Sequence, residues 1–256
     1  MKRLSPATLP SALWERPSTT YQSGERVDVA RSAMRSTRGA VPVVWCHGFA
    51  LSNPAVIATA GPYRERLSAI AALGHPVLSA DLGGGSTWSS DTAIARASTL
   101  VTWAGTVYGT RVDKVVIAGE SMGSLLAMNW AWRDPQRVAA LWVRAPLTAL
   151  DAFHDRPNGF AGAIESAYGG LAAYNAALPT HDPLLNRAAL SMLGSRTRID
   201  FTTDDELLPA SEVMGHATAV GAAEVHAWAG GHADNQWTDT WAVAEWVHRT
   251  VREYAP

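Results

Sequence analysis

The stretch VVIAGESMGSLLAM, residues 115–128, passes from a β-branched apolar run through Gly119, Ser121 and Gly123 into an alanine- and leucine-rich segment. The first part has the composition of a buried strand and the last part that of a helix, so the G-x-S-x-G between them marks a strand-to-helix turn. At background glycine usage the five-residue pattern arises by chance in roughly one chain in ten of this size, so its weight comes from that context. At such a turn the serine takes a strained backbone that lifts its hydroxyl clear, and a side chain on either glycine would strike the adjoining strand or helix. The helix that follows directs free N–H groups and the positive end of its dipole at any negative charge forming there. Ser121 is therefore a candidate nucleophile.

Working outward, strands and helices alternate. YQSGERVDVA (21–30) and AVPVVWCHG (40–48) read as strands, the second apolar enough to be buried on both faces. PYRERLSAIAALG follows as a helix, with Leu67, Ile70 and Leu73 at helical spacing and Gly74 at its C-cap, and then HPVLSADLGGG as a short strand. DTAIARASTLVTWAGTVYG reads as a helix with Asp91 as its N-cap, and helix SMGSLLAMNWAWRDP and strand VAALWVRAP come after the central turn. Strand TRIDFTT (197–203), a helix from Ala210 to Val220, strand AAEVHAWAG (222–230) and helix TDTWAVAEWVHRTVREY complete the alternation. Such a pattern predicts a mostly parallel twisted sheet covered by helices on both faces, with ligands beyond the carboxyl ends of the strands.

The alternation breaks between residues 148 and 195, where short amphipathic helices and glycine turns appear without a strand. Inserted after a strand that ends near Pro146, this segment is expected to lie over the carboxyl ends of the strands as a small helical lid. The predicted organisation is an extended N-terminal arm (1–20), an α/β core (21–147 and 196–256) and the lid (148–195).

Composition narrows the function classes. A chain of 256 residues with 47% hydrophobic residues is long enough for a full core, and a formal net charge of −2 without blocks of like charge gives no footprint for nucleic acid. The single cysteine, Cys46, cannot pair within the chain and reads as a buried, inert thiol. Prolines and polar residues interrupt the basic N-terminus before an apolar signal region forms, and no window approaches a membrane span. A cytoplasmic chain without a membrane span is expected, with association with a phage particle as the alternative.

A serine hydroxyl needs a base, itself oriented by a third group. AWAGGHADN offers His232 on a glycine-rich loop after the last strand, and TTDDELLP offers Asp204 and Asp205 after the preceding one. VVWCHGFALSN places His47 and Gly48 at another strand end, where the N–H of Phe49 is positioned to join that of Met122 in holding an oxyanion. A substrate pocket is expected from His47, Trp88, Phe153 and Phe160, with Tyr168 and Tyr174 nearby, apolar enough for an acyl or aryl group. His75, His216, His226 and His248 read as structural. His154 and His181 lack metal-ligand spacing, and the triple glycine at 83–85 lacks the G-K-[ST] of a phosphate loop, so neither a metal nor a cofactor is expected.

With HG at 47–48, GESMG at 119–123, DxxLP at 205–209 and GGH at 230–232 in that order, residues 21 to 254 resemble the serine-nucleophile branch of the α/β-hydrolase fold family. The resemblance implies Ser121 as nucleophile, His232 as general acid and base, and Phe49 with Met122 as oxyanion donors. It also implies Asp205 as the orienting acid, because the family's acid commonly stands four residues before the proline that opens the next helix, here Pro209. Where many relatives carry a D-x-x-G-x-G-x-S turn this chain has DLGGGSTWSSD, which is similar to lipase- or esterase-like proteins of actinobacteria and their phages. The expected activity is cleavage of a small-molecule carboxylic ester through an acyl-enzyme. Thioesterase, amidase, carbon–carbon hydrolase and cofactor-free haloperoxidase chemistry share the same triad, and a non-catalytic binding or structural module is the alternative of a different class.

Overall fold

The computed structural model describes residues 11–17, 21, 25–51, 62–232 and 239–256. Among these residues eight strands form one sheet: β1 (Ala12–Glu15), β2 (Val27–Ser32), β3 (Val43–Cys46), β4 (Val77–Ala80), β5 (Val115–Glu120), β6 (Val138–Arg144), β7 (Thr197–Thr202) and β8 (Glu224–Trp228), in the order β1-β2-β4-β3-β5-β6-β7-β8. β2 runs antiparallel to both β1 and β4, and every other pairing is parallel. β1 lies in the expected N-terminal arm and forms the sheet edge, a pairing that four residues without alternation did not announce. Residues 1–10 and 18–20 of that arm lie outside the described residues.

Strand periodicity builds two cores. Val44 and Cys46 of β3, Val115 and Ile117 of β5, and Leu141 and Val143 of β6 face one side, against helices α2 (Asp91–Tyr108), α3 (Met122–Arg133) and α8 (Ala210–Val220). Val43, Trp45, Val116, Ala118 and Trp142 face the other, against α1 (Pro62–Ala72) and α9 (Thr240–Tyr254). Both side-chain sets of each central strand are therefore buried, which is why these strands read as continuous apolar runs. Cys46 belongs to the first core, and burial pushes its thiol pKa up, away from reactivity.

Between β6 and β7 the chain forms α4 (Leu150–His154), α5 (Ala161–Tyr168), α6 (Leu171–His181), α7 (Arg187–Leu190) and a 3₁₀ turn (Ser191–Arg196), with no strand. A third apolar cluster joins this segment to the carboxyl ends of the strands: Leu150, Phe153, Ile164 and Tyr174 pack with Met122, Leu147, Leu208 and Trp88. Among the described residues no helix is long and apolar enough to cross a membrane.

One expectation is corrected. Ser90, not Asp91, occupies the N-cap of α2, and no side-chain cap bond forms there. Asp91 is the first helical residue, and its carboxylate instead accepts from Arg133 Nη1 at 2.5 Å and lies 3.1 Å from His181 Nε2. An acidic residue in a first turn is favoured by the dipole in either place, so the sequence did not separate them.

Two of the structural histidines make the fold acid-sensitive. Burial, and then the neighbouring Arg187, lowers the His216 pKa to about 3, and burial, then His248, lowers that of His75 to about 4. Unfolding returns both to the ordinary value near ~6.5, so between these values the unfolded chain binds more protons than the folded one. The stabilisation is complete above about pH 6.5 and is lost as pH falls below it, by up to about 1.4 kcal/mol per pH unit for each imidazole. Urea unfolding at pH 7 and pH 4.5 should therefore show a marked loss of stability at the lower pH, and His216→Gln should make that loss smaller. Equal losses in both proteins would contradict the assignment.

Candidate active site

The turn between β5 and α3 is set by steric contact. Ser121 adopts φ 51° and ψ −121°, a region that a residue with a Cβ holds only at a cost of about 1–3 kcal/mol. A Cβ on Gly123 would lie 2.1 Å from the carbonyl oxygen of Cys46 and 2.5 Å from that of His47, and one on Gly119 would lie 2.3 Å from the carbonyl oxygen of Gly123. The first turn of α3 is thus pressed against the ends of β3 and β5, and only glycine fits at both places.

Hydrogen bonds hold the turn in position. The Ser121 N–H donates to the Arg144 carbonyl at 3.0 Å. The fully buried Ser124 hydroxyl donates to the Ser121 carbonyl at 2.5 Å and accepts from the Leu147 N–H at 2.9 Å, tying the turn to the loop after β6. Beneath it, the Glu120 carboxylate is paired with buried Arg144 and accepts from the Tyr63 hydroxyl at 2.7 Å.

His232 reaches Ser121 from the loop after β8. Its Nδ1 is 2.8 Å from Asp205 Oδ2, and its Nε2 is 3.0 Å from Ser121 Oγ. A carboxylate only accepts, so Nδ1 carries the proton and Nε2 turns its lone pair to the serine hydroxyl. The other oxygen of Asp205 accepts from the N–H groups of Leu207 and Leu208, at 2.9 and 2.8 Å. Its neighbours hold the same loop: Asp204 accepts from the Gly230 N–H and Glu206 from the His232 N–H, each at 3.3 Å. Three successive carboxylates therefore fix residues 230–232, and one of them meets the imidazole. Sequence reasoning missed Glu206, for which the acidic run was a signal, and Ser124, for which there was none.

Gly48 passes beside the turn, where a Cβ on it would lie 3.7 Å from that of Ser121, so Phe49 adjoins the site. Met122 opens α3, and its N–H is one of the groups a helix start leaves without an intrahelical partner. Phe49, Trp88, Phe153 and Phe160 line a cavity of about 20 Å³ together with Ser121 and His232. His47 does not line it. Its ring is buried, with Nδ1 and Nε2 each 2.9 Å from a backbone carbonyl, those of Gly48 and Asp81, so it joins the loops after β3 and β4. Tyr168 and Tyr174 stand one layer further out, and the Tyr168 hydroxyl donates to the Trp88 carbonyl at 2.8 Å. Among the described residues no group of three or more His, Cys, Asp or Glu side chains is placed to hold a metal ion.

Residues 41–248 match the model of a protein family described as the alpha/beta hydrolase fold. The chain belongs to that family. No curated protein sequence matches it. Solved structures with this fold include Est1E from Butyrivibrio proteoclasticus, at 15% identity and a TM-score of 0.66 over 95% of this chain and 98% of that one. An S-formylglutathione hydrolase from Agrobacterium tumefaciens matches at 18% identity and a TM-score of 0.62, over 95% and 93% of the two chains. The esterase Est22, solved with p-nitrophenol, matches at 17% identity and a TM-score of 0.65, over 93% and 81%. At such identities the likeness is one of fold.

Two glycines give opposite expectations. Gly123→Ala drives a methyl group into backbone that cannot retreat and should cost about 3 kcal/mol or more. Gly215→Ala, in α8 with open space around the new Cβ, should stabilise by about 0.5–1 kcal/mol. Urea denaturation of both variants checks the pair; a tolerated Gly123→Ala would contradict the close packing of the turn.

Proposed function

We propose that this protein is a serine hydrolase that cleaves a small-molecule carboxylic ester through an acyl-enzyme. The observation that carries the reading is the continuous relay from Ser121 Oγ to His232 Nε2 at 3.0 Å and from His232 Nδ1 to Asp205 at 2.8 Å. In this reading Ser121 Oγ attacks the ester carbonyl carbon as its proton passes to His232 Nε2, and the imidazolium is stabilised by Asp205. The carbonyl oxygen, now negative, accepts from the N–H groups of Phe49 and Met122 at the positive end of α3. As the carbon–oxygen bond to the alcohol breaks, His232 returns the proton to the leaving oxygen. Water then gives a proton to His232 and its oxygen to the acyl carbon, and collapse of this second intermediate restores Ser121 and releases the carboxylic acid.

The proteins sharing the fold include the esterase Est22 and an S-formylglutathione hydrolase, which agrees with this chemistry. In the same reading residues 148–195 act as a helical lid on the core of 21–147 and 196–256. What supports it is that Phe153 and Phe160 of that segment reach the cavity beside Ser121 and that Tyr168 is bonded to the Trp88 loop.

Ser121→Ala should fold normally and lose esterase activity by about 10³-fold or more. The adjacent carboxylates supply a finer test. Asp205→Asn should lower kcat by about 10² to 10⁴-fold, because it removes the charge that favours imidazolium, whereas Asp204→Asn should cost less than about tenfold. Steady-state kinetics on a p-nitrophenyl ester measures all three. The reverse order of the two aspartates would contradict the assignment of the orienting acid, and retained activity in folded Ser121→Ala would contradict that of the nucleophile.

A further inference from the structure

Asp205 is held from behind by a peptide group that has an arginine on its far side. The Leu208 N–H donates to Asp205 Oδ1 at 2.8 Å, and the Leu207 carbonyl, which belongs to the same peptide group, accepts from Arg156 Nη1 at 2.9 Å. No cis bond occurs among the described residues, so the N–H and C=O of this group point in opposite directions, and Arg156 and Asp205 lie on opposite sides of it. We propose that Arg156 is a positioning residue for Asp205, acting through the Leu207–Leu208 peptide and linking segment 148–195 to the His232–Asp205 pair. The proposal rests on the hydrolase reading above and adds to it a residue outside the triad.

The chain of hydrogen bonds reinforces itself. A guanidinium is a permanent cation, and positive charge at the oxygen of an amide draws electron density toward the carbonyl and leaves the N–H a stronger donor. The Leu208 N–H then binds the carboxylate more firmly, and the Leu207 N–H supplies a second bond to the same oxygen at 2.9 Å. With Oδ1 held in this way, Oδ2 is left to face His232 Nδ1 at 2.8 Å. Arg156 is fixed in turn. Its Nη2 pairs with Glu212 of α8, and its guanidinium carbon lies 6.0 Å from the centre of the Phe153 ring.

The place of Arg156 in the sequence gives this link its consequence. It lies in the turn between α4 and α5, where its own N–H donates to the Phe153 carbonyl at 3.3 Å. In the same turn the Asn158 side chain donates to the Phe153 carbonyl at 2.9 Å and accepts from the Phe160 N–H at 3.0 Å. Phe153 and Phe160 line the cavity beside Ser121, as do Leu207 and Leu208. One guanidinium therefore ties the turn that carries two of the lining rings to the peptide that holds the orienting acid. Withdrawal of segment 148–195 would take Arg156 from Leu207 and release that peptide, so the seating of the segment and the alignment of the pair are coupled.

The test is a double-mutant cycle with p-nitrophenyl acetate as substrate. Arg156→Met deletes the donors and keeps an apolar stem beside Phe153. The Arg156 side chain is 25% exposed, so the variant should fold, which thermal unfolding checks, and Arg156→Gln, measured alongside it, should give the same kinetic pattern. Arg156→Met should lower kcat by about tenfold with KM changed by less than about twofold, the size expected of one charge-assisted hydrogen bond. In an Asp205→Ala background, where the peptide has no carboxylate to hold, the same change should lower kcat by less than about twofold. Equal factors in both backgrounds, a rise in KM with kcat unchanged, or wild-type kcat in both Arg156 variants would each overturn the role of Arg156 and leave the hydrolase reading intact. A wild type that turns over no p-nitrophenyl ester would overturn the hydrolase reading and this role with it.

Discussion

The first turn of α3 sits so close to the ends of β3 and β5 that no side chain fits between them, and the rest of the site is arranged around that contact. With Gly119 and Gly123 admitting the backbone, the chain reverses within one residue, and Ser121 takes a conformation that its own Cβ disfavours. The strain is small beside the apolar burial of β5 and α3, both of which lie almost wholly in the core. The same contact brings the loop after β3 beside the serine, and parallel pairing places the loops after β6, β7 and β8 on the same side of the sheet. A local packing requirement thereby becomes a convergence of Phe49, Ser121, Asp205 and His232.

The support beneath the site is polar and buried. Besides Glu120 and Arg144, Asp200 on β7 accepts from Arg198 through both carboxylate oxygens, at 2.8 and 3.0 Å, and from the indoles of Trp142 and Trp228, at 2.8 and 3.1 Å. Removing one member of such a pair strands its partner's charge and costs about 3–5 kcal/mol. Two of the eleven tryptophans thus act as hydrogen-bond donors to a buried carboxylate as well as filling space.

Much of this architecture was legible in the sequence because apolar pattern and burial coincide. β3, β5 and β6 are buried on both faces and were continuous apolar runs, and α8 spans Ala210–Val220, the range read from the sequence. The choice of Asp205 over Asp204 came from the family resemblance, through the spacing to Pro209; in the structure Asp204 accepts from the Gly230 N–H and Asp205 lies 2.8 Å from the imidazole. What escaped was whatever depends on a distant partner. Ser124, Glu206 and His47 take their positions from atoms in other loops, β1 is too short to carry a period, and Asp91 satisfies the helix dipole equally well as cap or as first residue. The charges of β7, Arg198 and Asp200, pair with each other inside the protein.

The central claim is that the strained turn and the His232–Asp205 pair make one serine hydroxyl nucleophilic. The most direct measurement is incubation of the intact protein with a fluorophosphonate, followed by proteolysis and mass spectrometry. The account predicts one covalent adduct, on the peptide containing Ser121, and no adduct when the protein is unfolded before exposure. Absence of an adduct on the folded protein, or an adduct on another serine with Ser121 unmodified, would contradict it.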